Sequence, residues 1–167
     1  MKKFLIGISV LIFFCESIKA QEHGHSHERN EIGISGGALY GFGHNEWGSG
    51  IHLHYFRTLG LHSKWSLGGG IEQAWVNGPH FNMGAGVKYQ LFKRLSIASL
   101  PGITFISHSE VDTQHAHKHK KALFALHFEL VYDLLQWNDY HFGAVLDYAW
   151  KKSDPHAMIG IHAAFCF

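Results

Sequence analysis

Apolar and polar side chains alternate along most of this chain with a period of two. That spacing puts successive side chains on opposite faces of a β-strand. The carboxyl-terminal stretch is a clear instance. Ala157, Ile159, Ile161, Ala163, Phe165 and Phe167 form one face, and Met158, Gly160, His162, Ala164 and Cys166 form the other. Seven further segments repeat the pattern, at residues 31–42, 48–59, 64–75, 81–92, 95–105, 122–133 and 140–150, each bounded by turn-forming or polar residues. In the sixth, Phe124, Leu126, Phe128, Leu130 and Tyr132 alternate with Ala125, His127, Glu129, Val131 and Asp133. Pro101 falls inside the fifth. A proline removes one ladder donor, which predicts a bulge or local irregularity at that point.

The two faces differ in chemistry. The polar face is mostly Gly, Ser and Ala with sparse ionisable groups, too small and too weakly charged for a surface in water. It suits a narrow lumen filled by side chains. The apolar face places Tyr40, Tyr55, Trp65, Trp75, Tyr89, Tyr140, Tyr148 and Trp150 near strand ends, where interfacial girdles need them. The fold expected is all-β: an eight-stranded antiparallel up-and-down transmembrane β-barrel with its apolar face in lipid. A soluble, lipocalin-like barrel is the alternative, and it would reverse the faces.

The amino terminus carries an export signal. Lys2 and Lys3 precede an apolar run from Phe4 to Phe14, and Ala20 offers a cleavage point before Gln21. The run falls short of the roughly 20 apolar residues of a helical span. Cys15 raises a lipoprotein alternative, but the bulky Phe14 stands where a small residue belongs. The organisation expected is a signal peptide at 1–20, a His-rich periplasmic leader at 21–30 and the barrel at 31–167. Cys166 is then the single cysteine of the mature chain, which excludes an intramolecular disulfide. A formal net charge of +1 argues against a nucleic-acid partner.

Strand number, aromatic strand ends and a terminal Phe167 together resemble the small eight-stranded bacterial outer-membrane β-barrels of the OmpX and OmpA-barrel type, a porin-like family. The resemblance covers nearly the whole mature chain. It implies residence in the outer membrane of a Gram-negative-type bacterium, contact with outer-membrane lipid, and recognition of the last strand by the barrel-assembly machinery. A monomer is expected. With a periplasmic amino terminus, the turns near Gly60, Lys93-Arg94 and 135–139 fall on the periplasmic side. The connections at 43–46, 76–80, 106–121 and 151–155 fall outside, the longest among them.

Sixteen histidines are the chemical peculiarity, and most of them fall into three groups. His23, His25 and His27, flanked by Glu22 and Glu28, offer neutral imidazoles and carboxylates suited to Zn, Cu or Ni. A polar leader that binds metal only as an affinity tag does is the alternative. His115, His117 and His119 repeat the alternating spacing in the long outer connection, beside His108, Glu110 and Asp112. Lys118, Lys120 and Lys121 make this second tract the poorer ligand set, and a solvated loop is its plainer reading. His52, His54, His127, His141 and His162 lie on the lumen face with Glu72, Lys88, Glu129 and Asp147. A dry lumen requires such groups to satisfy one another, so a structural network is expected, with a buried metal site as the alternative.

No catalytic residue and no organic cofactor are assigned. Ser107-His108-Ser109-Glu110 supplies the residue types of the barrel enzymes that modify lipid A acyl chains, but within one outer loop. The function expected is a small outer-membrane barrel that binds divalent transition metal through its His-rich amino terminus. The alternatives are a structural or adhesive surface barrel without metal, or a lipid A-modifying enzyme.

Overall fold

The computed structural model describes residues 30–60, 63–112, 115–152 and 154–167. The expected signal peptide, its cleavage site and residues 21–29 of the leader lie outside the described residues. Eight strands follow in order: β1 (Asn30–Gly41), β2 (Glu46–Thr58), β3 (Trp65–Trp75), β4 (Pro79–Phe92), β5 (Leu95–Asp112), β6 (His115–Trp137), β7 (Tyr140–Lys151) and β8 (His156–Cys166). Each pairs antiparallel with its sequence neighbour, and β1 pairs with β8 to close the barrel. The seam brings both ends of the fold together. Asn30 N donates to Phe167 O at 2.9 Å, and Phe167 N donates to Asn30 O at 2.8 Å. Asn30 is therefore already strand.

Local chemistry sets the turns. Asn77 (φ 50°) and Gly78 (φ 94°) both occupy the left-handed region between β3 and β4. Two such residues in succession match the twist of an antiparallel hairpin, and Asn-Gly reaches that conformation at little cost. Asn45 and Asn138, also at positive φ, serve the β1–β2 and β6–β7 turns.

The exterior has the composition of a lipid-facing surface. Ile32, Ile34, Ile51, Leu53, Ile71, Met83, Ile103, Leu146, Ile159 and Ile161 are all exposed around the barrel wall. Aromatic pairs stand at both rims. Trp65 and Tyr89 (4.5 Å between centroids), Tyr140 and Phe165 (5.1 Å) and Phe165 and Phe167 (5.6 Å) mark the end that carries the termini. Tyr40 and Trp47 (5.1 Å) mark the other. Phe124 (59% exposed) points out while Glu129 (2%) points in. Charge inside and hydrocarbon outside is the reverse of a soluble barrel, and an apolar surface this continuous is unsuited to water.

The sequence-based picture needs one refinement and two corrections. First, the irregularity at Pro101 is a gap in the ladder and not a bulge. The β4–β5 register is the same on either side of it, and the register shift lies between Gln90 and Phe92, beside the tight Lys93-Arg94 turn. Pro101 faces outward, where the ladder only skips pairs opposite Ala85 and Gly86. A second shift, between Asp133 and Leu135, also lies near the terminal end. Second, 106–121 is not an irregular loop, because β5 and β6 stay paired out to Asp112 and His115. Beyond Ile106 and Ala125 neither strand has its other neighbour, so the pair leaves the wall as a ribbon. Third, His80 and Lys151 belong to β4 and β7, not to the outer connections.

The lumen is packed. Leu39, Ala74, Val76, Val131, Val145 and Met158 form one apolar cluster, and Phe56, Ala98 and Leu100 form another. Polar side chains fill the space between them.

Two outcomes follow from the facing and the seam. Phe128→Arg puts a cation on the hydrocarbon side and should destabilise the barrel by about 2–4 kcal/mol, read from denaturant titrations of refolding in liposomes. Deleting Phe167 removes the backbone pair with Asn30 and should lower the yield of folded barrel, read from the heat-dependent gel migration of the membrane fraction.

Candidate functional site

Successive strands aim imidazoles and carboxylates into the lumen because each contributes alternate residues of one parity. The groups stack in layers from the terminal end outward. Nearest the termini, His141 Nδ1 lies 3.3 Å from Asp133 Oδ2, which also accepts a hydrogen bond from Gln136 Nε2 at 3.0 Å. Next, Lys88 Nζ grips both carboxylate oxygens of Glu31, and its charge also faces the Phe56 ring at 5.7 Å. His54 Nε2 stands 3.3 Å from Glu31 Oε1, and its ring stacks on that of His162 at 5.3 Å. Ser35 Oγ and His162 Nδ1 share a hydrogen bond at 3.1 Å.

The middle layer centres on Glu129. His52 Nδ1 lies 2.7 Å from its Oε2, and His54 Nδ1 3.5 Å from its Oε1. His54 thus bridges Glu31 and Glu129. Gly33 makes room for these rings: a Cβ there would collide with His54 and His162.

Further out, His156 Nε2 approaches Glu72 Oε1 at 3.1 Å. Asn82 Nδ2 donates to the same oxygen, and Thr104 Oγ1 donates to Asn82 Oδ1. His127 Nδ1 sits 3.8 Å from Glu72 Oε2 and 3.7 Å from Asp147 Oδ1. At the outer end, Lys151 Nζ meets His80 Nδ1 at 2.8 Å, and Asp154 Oδ2 lies 3.9 Å from the same ring nitrogen.

All nine lumen residues named from the sequence reach the interior: His52, His54, Glu72, His127, Glu129, Asp147 and His162 are buried, and Lys88 and His141 partly so. Glu31, His80, Lys151, Asp154 and His156 complete the layers and were not picked out by sequence. The signal was parity. His80 shares the phase of Asn82 and Lys88, Lys151 that of Asp147, and His156 that of His162. Extending each alternation to the strand ends would have found them.

The other two histidine groups lie elsewhere. His23, His25 and His27, with Glu22 and Glu28, are outside the described residues. His115, His117 and His119 lie on the outer part of β6, where backbone register sets them across from Asp112, Glu110 and His108. Ser107-His108-Ser109-Glu110 lies on the facing part of β5.

Three groups among the described residues hold donor atoms close enough to share one cation: Glu31, His54 and His162; His52, His54 and Glu129; and Glu72, Asp147 and His156. Within each, the donor atoms lie within 4.8 Å of one another.

A barrel of eight antiparallel strands, apolar outside and filled with ion pairs inside, defines a class of protein. Solved structures support that class. The crystal structure of Ail, the attachment invasion locus protein of Yersinia pestis, aligns at a TM-score of 0.64 and 13% identity, over 85% of this chain and 100% of that one. Neisserial surface protein A aligns at 0.58 and 9% identity, over 87% and 100%. The N-terminal β-barrel domain of Pseudomonas aeruginosa OprF aligns at 0.52 and 13% identity, over 84% and 99%. No family model and no curated protein matches the sequence. The fold is that of the small eight-stranded outer-membrane barrels. At these identities the likeness extends to fold alone.

Glu129 holds two imidazoles at once, so its loss should be felt through the whole stack. Glu129→Ala leaves His52 and His54 without their buried anion and should destabilise the barrel by about 3–5 kcal/mol, measured by urea unfolding in detergent micelles.

Proposed function

We propose that this protein is an outer-membrane barrel that binds divalent transition metal, Zn, Cu or Ni, with His23, His25 and His27 as its capture ligands and Glu22 and Glu28 beside them. One observation carries the reading: the lumen pairs imidazole with carboxylate layer upon layer, the donor set borderline divalent ions prefer. Asn30, the first described residue, precedes Glu31, whose carboxylate meets His54 in this stack. Imidazole-rich leader and imidazole-lined interior then serve the same ion.

A second reading is a structural or adhesive surface barrel without metal. The projecting β5–β6 ribbon favours it, because a paired extension beyond the wall is a surface for contacts.

Replacing His23, His25 and His27 with alanine should remove the leader's own share of the metal bound at micromolar or tighter affinity, equivalent to about 8 kcal/mol, and leave the barrel folded. In the parent, binding should weaken as pH falls through about 6.5, because the ligand is the neutral ring. Titration calorimetry on parent and triple variant reads both. Equal isotherms would remove the leader from the reading, and no binding above a scrambled leader would favour the structural barrel.

A further inference from the structure

The outer half of the lumen holds a carboxylate pair that the rest of the network leaves incompletely satisfied. Asp147 is 2% exposed, and neither of its carboxylate oxygens accepts a hydrogen bond. Glu72, also 2% exposed, commits Oε1 to Asn82 and His156 but leaves Oε2 without a hydrogen bond. A buried carboxylate oxygen without a partner is costly. Two of them facing one space, with imidazoles on either side, need a counter-charge at that point.

Lysine supplies only part of it. Lys88 is engaged by Glu31 at the far end, and Lys151, hydrogen-bonded to His80, divides its charge between Asp154 and Glu72. Across the lumen, Glu31, Glu72, Glu129, Asp133, Asp147 and Asp154 stand against those two lysines. The excess negative charge is balanced by protons on the imidazoles or by a divalent cation. Geometry separates the two at this layer. A hydrogen-bonded imidazolium–carboxylate pair closes to about 2.7–2.9 Å, as His52 and Glu129 do at 2.7 Å. His127 instead stands off Glu72 Oε2 by 3.8 Å and Asp147 Oδ1 by 3.7 Å. Ligands at about 2.0–2.1 Å from a tetrahedral zinc lie roughly 3.4 Å from one another. The spacings of 3.1 Å (His156 to Glu72), 3.7 Å (His127 to Asp147) and 3.8 Å (His127 to Glu72) bracket that edge.

We propose that Glu72, Asp147 and His156, with His127 as fourth ligand, form a buried site for a single divalent transition ion of the zinc type, held in the barrel wall apart from the leader tract. The inference rests on the metal-binding reading above only for the class of ion. Glu72 and Asp147 neutralise a divalent cation and converge with His156 on one point, and His127, beside both carboxylates, closes the set when the ion draws it in. Asn82, itself held by Thr104, fixes the Glu72 carboxylate from behind, as a second shell does. His156 opens β8 and Glu72 lies near the outer end of β3, so the ion enters from the rim opposite the termini.

The test uses the full chain with all tract histidines at 23, 25, 27, 115, 117 and 119 changed to alanine, purified folded in detergent, its closure checked by heat-dependent gel migration. Equilibrium dialysis with elemental analysis should find about one zinc per chain. In the same background Asp147→Asn and Glu72→Gln should weaken zinc by about 100-fold or more, beyond the 10–100-fold typical of a second-shell change. A measurement without these two substitutions covers the case in which they do not fold: cobalt added to the tract-free chain should show the intense visible absorption of a four-coordinate ion. If the tract-free chain takes up no zinc while the parent does, the buried site is wrong and the leader reading survives. If both bind the same single ion, the leader reading fails and the buried site stands. Zinc bound with undiminished affinity by Asp147→Asn and Glu72→Gln, or a weak six-coordinate cobalt spectrum, overturns the inference.

Discussion

A closed barrel of eight strands has an interior wide enough for side chains and little more, and the exterior of this one is hydrocarbon-seeking. Every ionisable group on the walls must therefore find its partner within that narrow interior, where a lone charge is severely penalised. The layering follows from this constraint. Strand alternation delivers the groups at fixed heights, and histidine suits the task because it can donate at one ring nitrogen and accept at the other. His54 shows the economy of the arrangement, facing Glu31 through Nε2 and Glu129 through Nδ1.

The layers are not equivalent. Toward the termini, lysine and short contacts complete the pairing: Lys88 on Glu31, and His52 on Glu129 at 2.7 Å. Around Asp147 the pairing is looser: His127 stands 3.7 Å from its Oδ1 and 3.8 Å from Glu72 Oε2, and neither Asp147 oxygen accepts a hydrogen bond. A network meant only to fill space would gain by tightening there, or by replacing the groups with apolar residues of like volume. The apolar cluster of Leu39, Val76 and Met158 shows that this lumen accommodates such residues. Keeping Glu72 and Asp147 incompletely paired is what singles out that layer as a place for a ligand.

The fold was legible because a period of two leaves a trace in sequence wherever the two faces differ. β6 is the clearest case: Phe124 to Tyr132 and Ala125 to Asp133 sort onto opposite sides as their chemistry dictates. The trace fades where that contrast fails. Nothing in Ser107 to Lys121 alternates in hydropathy, yet backbone pairing continues through Asp112 and His115, because an antiparallel ladder once begun can extend without an apolar face. Pro101 is a different case. Its missing donor mattered less than the tight turn at Lys93-Arg94, and the ladder shifted register beside that turn. Lumen residues within strands were visible by parity. Those at strand ends were hidden, His80 and Lys151 because polar residues near a turn were read as loop, and His156 because the last alternation was begun at Ala157. Which carboxylate lies beside which imidazole was beyond the sequence, since that depends on strand register and on neighbours far apart in the chain.

The β1–β8 seam has a consequence for how the barrel comes to be closed. β8 is the last strand of the chain, and it carries His156 and His162. Until it docks, Glu72 and Ser35 lack the imidazoles they meet in the finished protein. Sliding β8 by one residue would turn both histidines toward lipid and bring Ile159 and Ile161 inside. The polar stack thus acts as a register check at the final step of assembly, in which a misaligned seam is rejected by uncompensated charge and the correct one is locked by it.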